Sequence, residues 1–151
     1  MIPNNIPRRP SLNKFVLQLT DYLDKHKFSA IDYSIIQLHA ESALNAYVDA
    51  RRDGMEVHAA LEIANQVLFE NVGESEYEFL AGILQDDFNN VVDTDNDLAM
   101  DFWVETLQME IPDLFDGCDR SELGISLADI DSYKDSITGK IATYFTRNGL
   151  Q

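Results

Sequence analysis

The chain has little cysteine, proline, glycine and positive charge. Its 151 residues include one cysteine, four prolines, seven glycines and 11 lysines and arginines. A single cysteine excludes an internal disulfide, and no apolar run approaches the roughly 20 residues of a membrane-spanning helix. No apolar segment of the kind found in secretory signals follows Arg8 and Arg9. We therefore expect a cytoplasmic protein that does not associate with membranes.

Acidic residues dominate the charge of the chain. Aspartate and glutamate total 27, for a net charge of −16. Residues 31–133 hold 24 of these acids and three cations, whereas residues 1–30 and 134–151 are slightly basic. A negative field repels nucleic-acid phosphates and anionic membranes, so we expect no direct nucleic-acid binding. The charge favours a basic protein partner, or it serves only to keep the protein soluble.

The distribution of proline and the apolar periodicity indicate the domain organisation. Residues 1–10 hold three of the four prolines and are predicted to form an irregular leader. Residues 11–151 show apolar positions at helical spacing and no sustained two-residue alternation. The sequence therefore predicts an all-α protein, with residues 11–151 as a single-domain irregular bundle of about six helices.

Capping residues and helix-stop signals set the predicted boundaries. Ser11 is expected to cap the first helix, Ser75 with Glu78 to form a capping box, and Ser126 to cap the last helix. Gly54 and Pro112 are expected to end helices. The predicted helices cover residues 12–27, 32–53, 56–71, 76–92, a stretch from about 94 to 111, and a last stretch that follows Ser126.

The second and fifth helices carry apolar stripes. The second helix is predicted to bury a face rich in alanine, which allows close approach of a neighbouring helix: Ile36, Ala40, Ala43, Tyr47 and Ala50. The fifth helix is predicted to turn these residues inward: Leu98, Phe102, Trp103, Leu107 and Ile111.

Asp93, Asp95 and Asp97 form the one pattern that suggests a metal site. An EF-hand calcium loop begins with this alternation and then requires Gly at position 6 and Glu at position 12. Those positions hold Leu98 and Val104. Because the two specific positions fail, we predict no metal site and retain the three aspartates only as weak candidates. Acids at this place also favour the start of a helix.

No other pattern indicates chemistry. The three histidines, His26, His39 and His58, lack the spacing of a helical metal site and are expected on helix surfaces. The chain has no phosphate-binding loop, dinucleotide fingerprint or nucleophile elbow. We therefore predict that the protein is not an enzyme and uses no cofactor. An enzyme or metal-binding protein whose site is invisible in the sequence remains an alternative.

The middle of the chain resembles a bacterial domain-of-unknown-function family of short all-helical proteins. The residues that carry the resemblance are Ala43, Tyr47, Ala50, Arg51, Gly54, Val57, Ala60, Glu62, Ala64 and Leu68, continued by Ser75, Tyr77, Leu80, Leu84 and Phe88. The resemblance covers about residues 12–90 and departs from the family at residues 71–74, while the last 60 residues match loosely. It implies an all-α fold and an association with conjugative or other mobile elements, and it implies no activity, cofactor or catalytic residue.

These observations favour a non-enzymatic interaction or accessory protein that presents a helical face to a protein partner. The partner is unidentified, is expected to be basic, and a second copy of the chain is one candidate. The alternative is an acidic mimic of DNA that occupies a DNA-binding protein, because residues 70–131 carry 18 acids and one cation.

Overall fold

The computed structural model describes residues 10–29, 31–119 and 123–150. These residues form six α-helices and no β-strand, so the predicted all-α class is confirmed. An isolated antiparallel bridge joins Glu74 to Ile125, which are far apart in sequence. The helices are α1 (Leu12–Lys25), α2 (Tyr33–Arg52), α3 (Val57–Leu68), α4 (Glu76–Asp87), α5 (Asp97–Glu110) and α6 (Ile130–Arg147).

Backbone contacts divide the chain into two compact units that meet in sequence between Val72 and Gly73. The first unit contains α1 to α3, and the second contains α4 to α6. The single domain expected for residues 11–151 stays a prediction. The leader expected for residues 1–10, including Arg8 and Arg9, lies outside the described residues except for Pro10.

The first unit is built on the small residues of α2 and α3. The predicted α2 face is buried in full, with Ile36, Ala40 and Ala43 completely inaccessible. Ala60 and Ala64 of α3 are also completely buried, and α2 packs against both α1 and α3. Because alanine adds only a methyl group beyond the backbone, alanines on facing helices let their axes approach closely.

The side chain of His39 on α2 forms a hydrogen bond with the end of α3. It is 8% exposed, and its Nδ1 lies 2.9 Å from the carbonyl oxygen of Leu68, the last residue of α3. A carbonyl oxygen only accepts hydrogen bonds, so Nδ1 is the donor and satisfies one of the orphan carbonyls of the helix end. The expected surface position is therefore wrong for His39.

The third and fourth helices end earlier than predicted. The third helix ends at Leu68 instead of residue 71, because Asn71 takes a left-handed backbone with φ of 59°. The fourth ends at Asp87 instead of residue 92, because Phe88 leaves the helical region at φ −132° and ψ 22°. Phe88 and Val92 are both buried, so packing closes the chain into a turn here.

The last helix begins at Ile130 and not directly after Ser126. Asp129, which precedes it, has a left-handed backbone with φ of 60°, and Ile125 pairs with Glu74 through two backbone hydrogen bonds. Ser126 Oγ accepts only from the amide of Ala128, at 3.3 Å. The predicted Ser126 cap is therefore wrong, because pairing with Glu74 holds the preceding segment in an extended conformation.

The second unit places its core between α4, α5 and α6. Leu80 and Leu84 of α4, Leu107 of α5, and Ile137 and Ile141 of α6 are all completely buried in one apolar cluster. The Ser75 cap is as predicted, since its Oγ accepts from the amide of Glu78 at 3.0 Å. This core fixes one face of α5 and leaves the opposite face outward.

Candidate interaction surface

Three large apolar side chains of α5 face outward. Leu98 is 80% exposed, Phe102 58% and Met109 74%. At about 100° per residue they fall within a sector of roughly 40°, and they extend over about 16 Å of helix. We call Leu98, Phe102 and Met109 the α5 stripe. Exposed apolar residues scattered singly are common on any protein, whereas several on one helix face make that face a candidate contact surface.

The α5 stripe corrects the prediction for this helix. Of the five residues expected to face inward, Leu107 is buried, Trp103 and Ile111 are partly buried, and Leu98 and Phe102 are exposed. The core takes the following residues of α5 instead: Met100, Val104 and Leu107. The helix carries apolar residues on two sides, and periodicity alone does not show which side meets the core.

The charged residues of α5 are all negative. Asp97, Asp101, Glu105 and Glu110 are exposed, and α5 contains no lysine or arginine. Glu105 lies between Phe102 and Met109 in sequence and about 20° outside the sector of the stripe, on its Leu98 side, whereas the other three acids lie further from the sector. Asp101 accepts a hydrogen bond from the Tyr77 hydroxyl of α4. The surface is therefore apolar along its centre and anionic beside it.

Aromatic contacts join the α5 stripe to the core. Phe102 meets the indole ring of Trp103 edge-on, with centroids 5.2 Å apart and planes at 82°. Trp103 meets Phe145 of α6 in the same manner at 5.6 Å, and Phe145 is completely buried. Such edge-to-face contacts add to the energy of burial. The contact with Trp103 therefore stabilises the position of the Phe102 ring, although most of its surface is exposed.

Local interactions hold α5 in register. Asn96 caps its N-terminus, with Oδ1 accepting from the amide of Ala99 at 3.1 Å. Gln108 donates to the carboxylate of Glu76 on α4 at 2.9 Å. Pro112 follows one residue after the C-cap, Ile111, as the sequence predicted. A fixed N-terminus and a fixed neighbour make the outward face of α5 a defined surface.

The weak metal candidates lie at the start of α5. Asp93 Oδ1 accepts from the amide of Asp95 at 3.1 Å, and Asp97 is the first residue of the helix. All three carboxylates are exposed. Among residues 10–29, 31–119 and 123–150, no three histidine, cysteine, aspartate or glutamate side chains are grouped so that they hold a metal ion.

A second acidic feature is a cleft between α4 and the start of α6. Its volume is about 240 Å³, and its polar lining comes from Glu74, Glu78, Asp86, Asp131 and Lys134. Burial, followed by the neighbouring Glu78 carboxylate, raises the pKa of Glu74. Lys134 Nζ lies 3.0 Å from Asp86, and this hydrogen bond raises the pKa of the lysine. The cleft thus already contains a cation that balances part of its negative charge.

A groove of about 460 Å³ lies between the end of α5 and α6. Lys140 and Arg147 contribute positive charge, and Glu110 and Asp113 contribute negative charge. Lys140 donates to the backbone carbonyls of Asp113 at 2.6 Å and Leu114 at 3.4 Å. This lysine therefore fastens the loop after α5 to α6.

The fold and the sequence identify the protein class as an all-helical domain of unknown function. The chain belongs to the family DUF1896, described as a domain of unknown function, whose model matches residues 8–150. The match extends the predicted resemblance through the last 60 residues, which the sequence matched only loosely, and spans both compact units.

A solved structure shares the fold. The crystal structure of protein PG0816 from Porphyromonas gingivalis matches with a TM-score of 0.68 and 23% identity, over 93% of this chain and 94% of that chain. At this identity the likeness concerns the fold. No curated protein is significantly similar to the chain. None of the described helices combines the length and apolar character needed to cross a membrane.

Proposed function

We propose that the protein is a non-enzymatic interaction or accessory protein of the cytoplasm, which binds a protein partner through the α5 stripe. The observation that carries this proposal is the outward apolar face of a helix whose other face is part of the core. Phe102 is the expected anchor, because aromatic residues at the centre of an interface often contribute most of the binding energy. The function requires neither a cofactor nor a catalytic residue.

The α5 stripe also distinguishes this function from imitation of DNA. A mimic needs carboxylates in a continuous array that follows the phosphate spacing, about 7 Å along a strand. On α5 the exposed acids are interrupted by Leu98, Phe102 and Met109, with exposures of 80%, 58% and 74%. Apolar side chains of this size resemble no part of a phosphate backbone, so the outward face of α5 fits a protein better than it fits a DNA-binding cleft.

Site-specific photocrosslinking in the native cell tests the proposal. A photoreactive phenylalanine analogue is placed at Phe102, and in a control chain at Tyr33, an aromatic residue of α2 that is 68% exposed. We expect one heterologous adduct from position 102 that is absent from position 33. The partner is then purified and shown to bind the unlabelled protein.

Three results would overturn the proposal. Equal adducts from positions 102 and 33 would show that α5 is not a preferred contact surface. An adduct formed only with a second copy of the chain would assign the α5 stripe to a homodimer. A DNA-binding partner whose crosslink is confined to acidic positions away from the stripe would favour the mimic.

A further inference from the structure

The α5 stripe has the dimensions of a helix-docking site. It spans three turns, from Leu98 to Met109, and lies on a regular helix with exposed side chains. A helix that packs on such a face presents its own apolar residues at intervals of three and four. An amphipathic helix therefore buries Leu98, Phe102 and Met109 together.

The charge at the edge of the stripe restricts the partner further. Glu105 is exposed and falls within about 60° of every residue of the stripe. A helix docked on Phe102 and Met109 would cover this carboxylate. Covering a charge without a counterion is unfavourable, and α5 has no lysine or arginine to supply one. Because α5 itself has none to offer, a basic partner would supply the counterion.

The flanking charges argue against a second copy as the occupant. Two α5 helices packed face to face would bring together two sets of the same four acids, Asp97, Asp101, Glu105 and Glu110, with no cation from either helix. Like charges opposed across an interface disfavour association. A basic segment gains from the same field, because lysine or arginine beside its apolar residues meets carboxylates on either side of the α5 stripe.

We infer that the α5 stripe binds a basic amphipathic helix, whose apolar face covers Leu98, Phe102 and Met109 and whose lysine or arginine pairs with Glu105. This inference deepens the proposed function and rests on it, since it names the chemistry of the partner for the same surface.

Trp103 provides a direct readout of the inference in the purified full chain. It is the chain's single tryptophan, it is partly buried, and it touches the exposed Phe102 ring. The probes are three 18-residue helical peptides without aromatic residues. Their apolar faces are identical leucine stripes, and their polar faces consist of lysine, glutamine or glutamate. A scrambled leucine–lysine peptide of the same charge controls for nonspecific attraction.

At low salt we expect the lysine peptide to change Trp103 emission and to bind at least about tenfold more tightly than the glutamine peptide. The preference should shrink at about 0.5 M salt, where charges are screened over a few ångströms. The Glu105→Gln variant should lose part of the lysine preference, and Phe102→Ala should weaken binding of the lysine and glutamine peptides. The scrambled peptide should leave the emission unchanged.

The other outcomes separate the two proposals. Equal binding of the lysine and glutamine peptides would overturn the basic partner and leave the α5 stripe as a docking surface. No binding of any peptide, combined with a specific adduct from position 102, would overturn the helical partner alone. Absence of both would overturn the inference together with the proposed function. Self-association that Phe102→Ala abolishes would replace the basic helix with a second copy.

Discussion

Phe102 and Trp103 are neighbours in sequence but occupy different environments, and their rings meet edge-on at 5.2 Å. Phe102 is 58% exposed, whereas Trp103 is packed against the core of the second unit and contacts Phe145. The pair lies at the boundary between the exposed face and the buried face of α5. An event that covers Phe102 therefore changes the surroundings of the tryptophan.

The two apolar faces of α5 should differ in their effect on stability. Leu107→Ala removes a completely buried side chain and should lower the free energy of unfolding by about 2–5 kcal/mol. Leu98→Ala makes the same chemical change at a position that is 80% exposed, and should change it by less than about 0.5 kcal/mol. Urea denaturation followed by circular dichroism measures both. Comparable losses would show that Leu98 belongs to the core and would remove the α5 stripe.

The hydrogen bond between His39 and Leu68 should contribute to the first unit. His39→Phe keeps a ring but removes the Nδ1 donor, leaving the carbonyl of Leu68 without this partner. An unsatisfied buried acceptor costs about 1–3 kcal/mol, so the unfolding midpoint should fall. His58→Phe, at an exposed position on α3, is the matched control and should have little effect. Equal effects would contradict the assigned role of His39.

Ser75 and Ser126 are both predicted to cap a helix, but their replacement by alanine should change the stability by different amounts. Ser75→Ala removes the side chain that accepts from Glu78 at the start of α4 and should destabilise by about 1 kcal/mol. Ser126→Ala should cost less, because Ser126 lies ahead of α6 without capping it. Chemical denaturation of both variants measures the difference. A larger loss at Ser126 would restore the longer predicted helix.

The raised pKa of Glu74 predicts a pH-dependent effect. Burial and Glu78 disfavour the charged form of Glu74 in the folded state. Between pH 4.5, the ordinary pKa, and the raised pKa, the folded chain therefore binds more protons than the unfolded chain. The protonated carboxyl thus stabilises the fold below pH 4.5, and this contribution is lost as pH rises through the folded pKa. Glu74→Gln should therefore raise the thermal midpoint at pH 7 and have little effect at pH 4.

The control for this pH effect is Glu78→Gln. It removes the second cause of the shift, so it should lower the pKa of Glu74 and weaken the pH dependence without abolishing it. Thermal midpoints measured between pH 4 and 8 follow both variants. A Glu74→Gln midpoint that is lower at pH 7 than at pH 4, relative to the unsubstituted chain, would contradict the predicted sign.

The sequence predicts the fold best where local signals and packing agree. Ser11, Asp32 and Ser75 lie at the helix starts that the sequence indicates, and each accepts a backbone hydrogen bond there. The alanine-rich face of α2 is buried as its spacing indicates. At these places the local preference and the tertiary environment favour the same structure.

The sequence fails where long-range contacts decide. Leu127 has apolar character suited to a helix, yet the pairing of Ile125 with Glu74, about 50 residues away, delays α6 and leaves Leu127 63% exposed. On α5 the predicted inward stripe did not single out the outward face, since Leu98 and Phe102 fit an inward stripe equally well. A signal was present in the sequence: Met100, Val104 and Leu107 form a second stripe at the same helical spacing. Two apolar stripes on one helix therefore predict that one of them faces outward.

The most direct test of the account is the affinity of the crosslinked partner, once purified, for two leucine variants of the full chain. Leu98→Ser alters the α5 stripe, and Leu17→Ser alters an exposed leucine of α1, with exposures of 80% and 62%. Isothermal titration calorimetry should show a loss of affinity of about tenfold or more for Leu98→Ser. Leu17→Ser should bind as the unsubstituted chain does. Equal affinities for the two variants would contradict the assignment of α5 as the interaction surface.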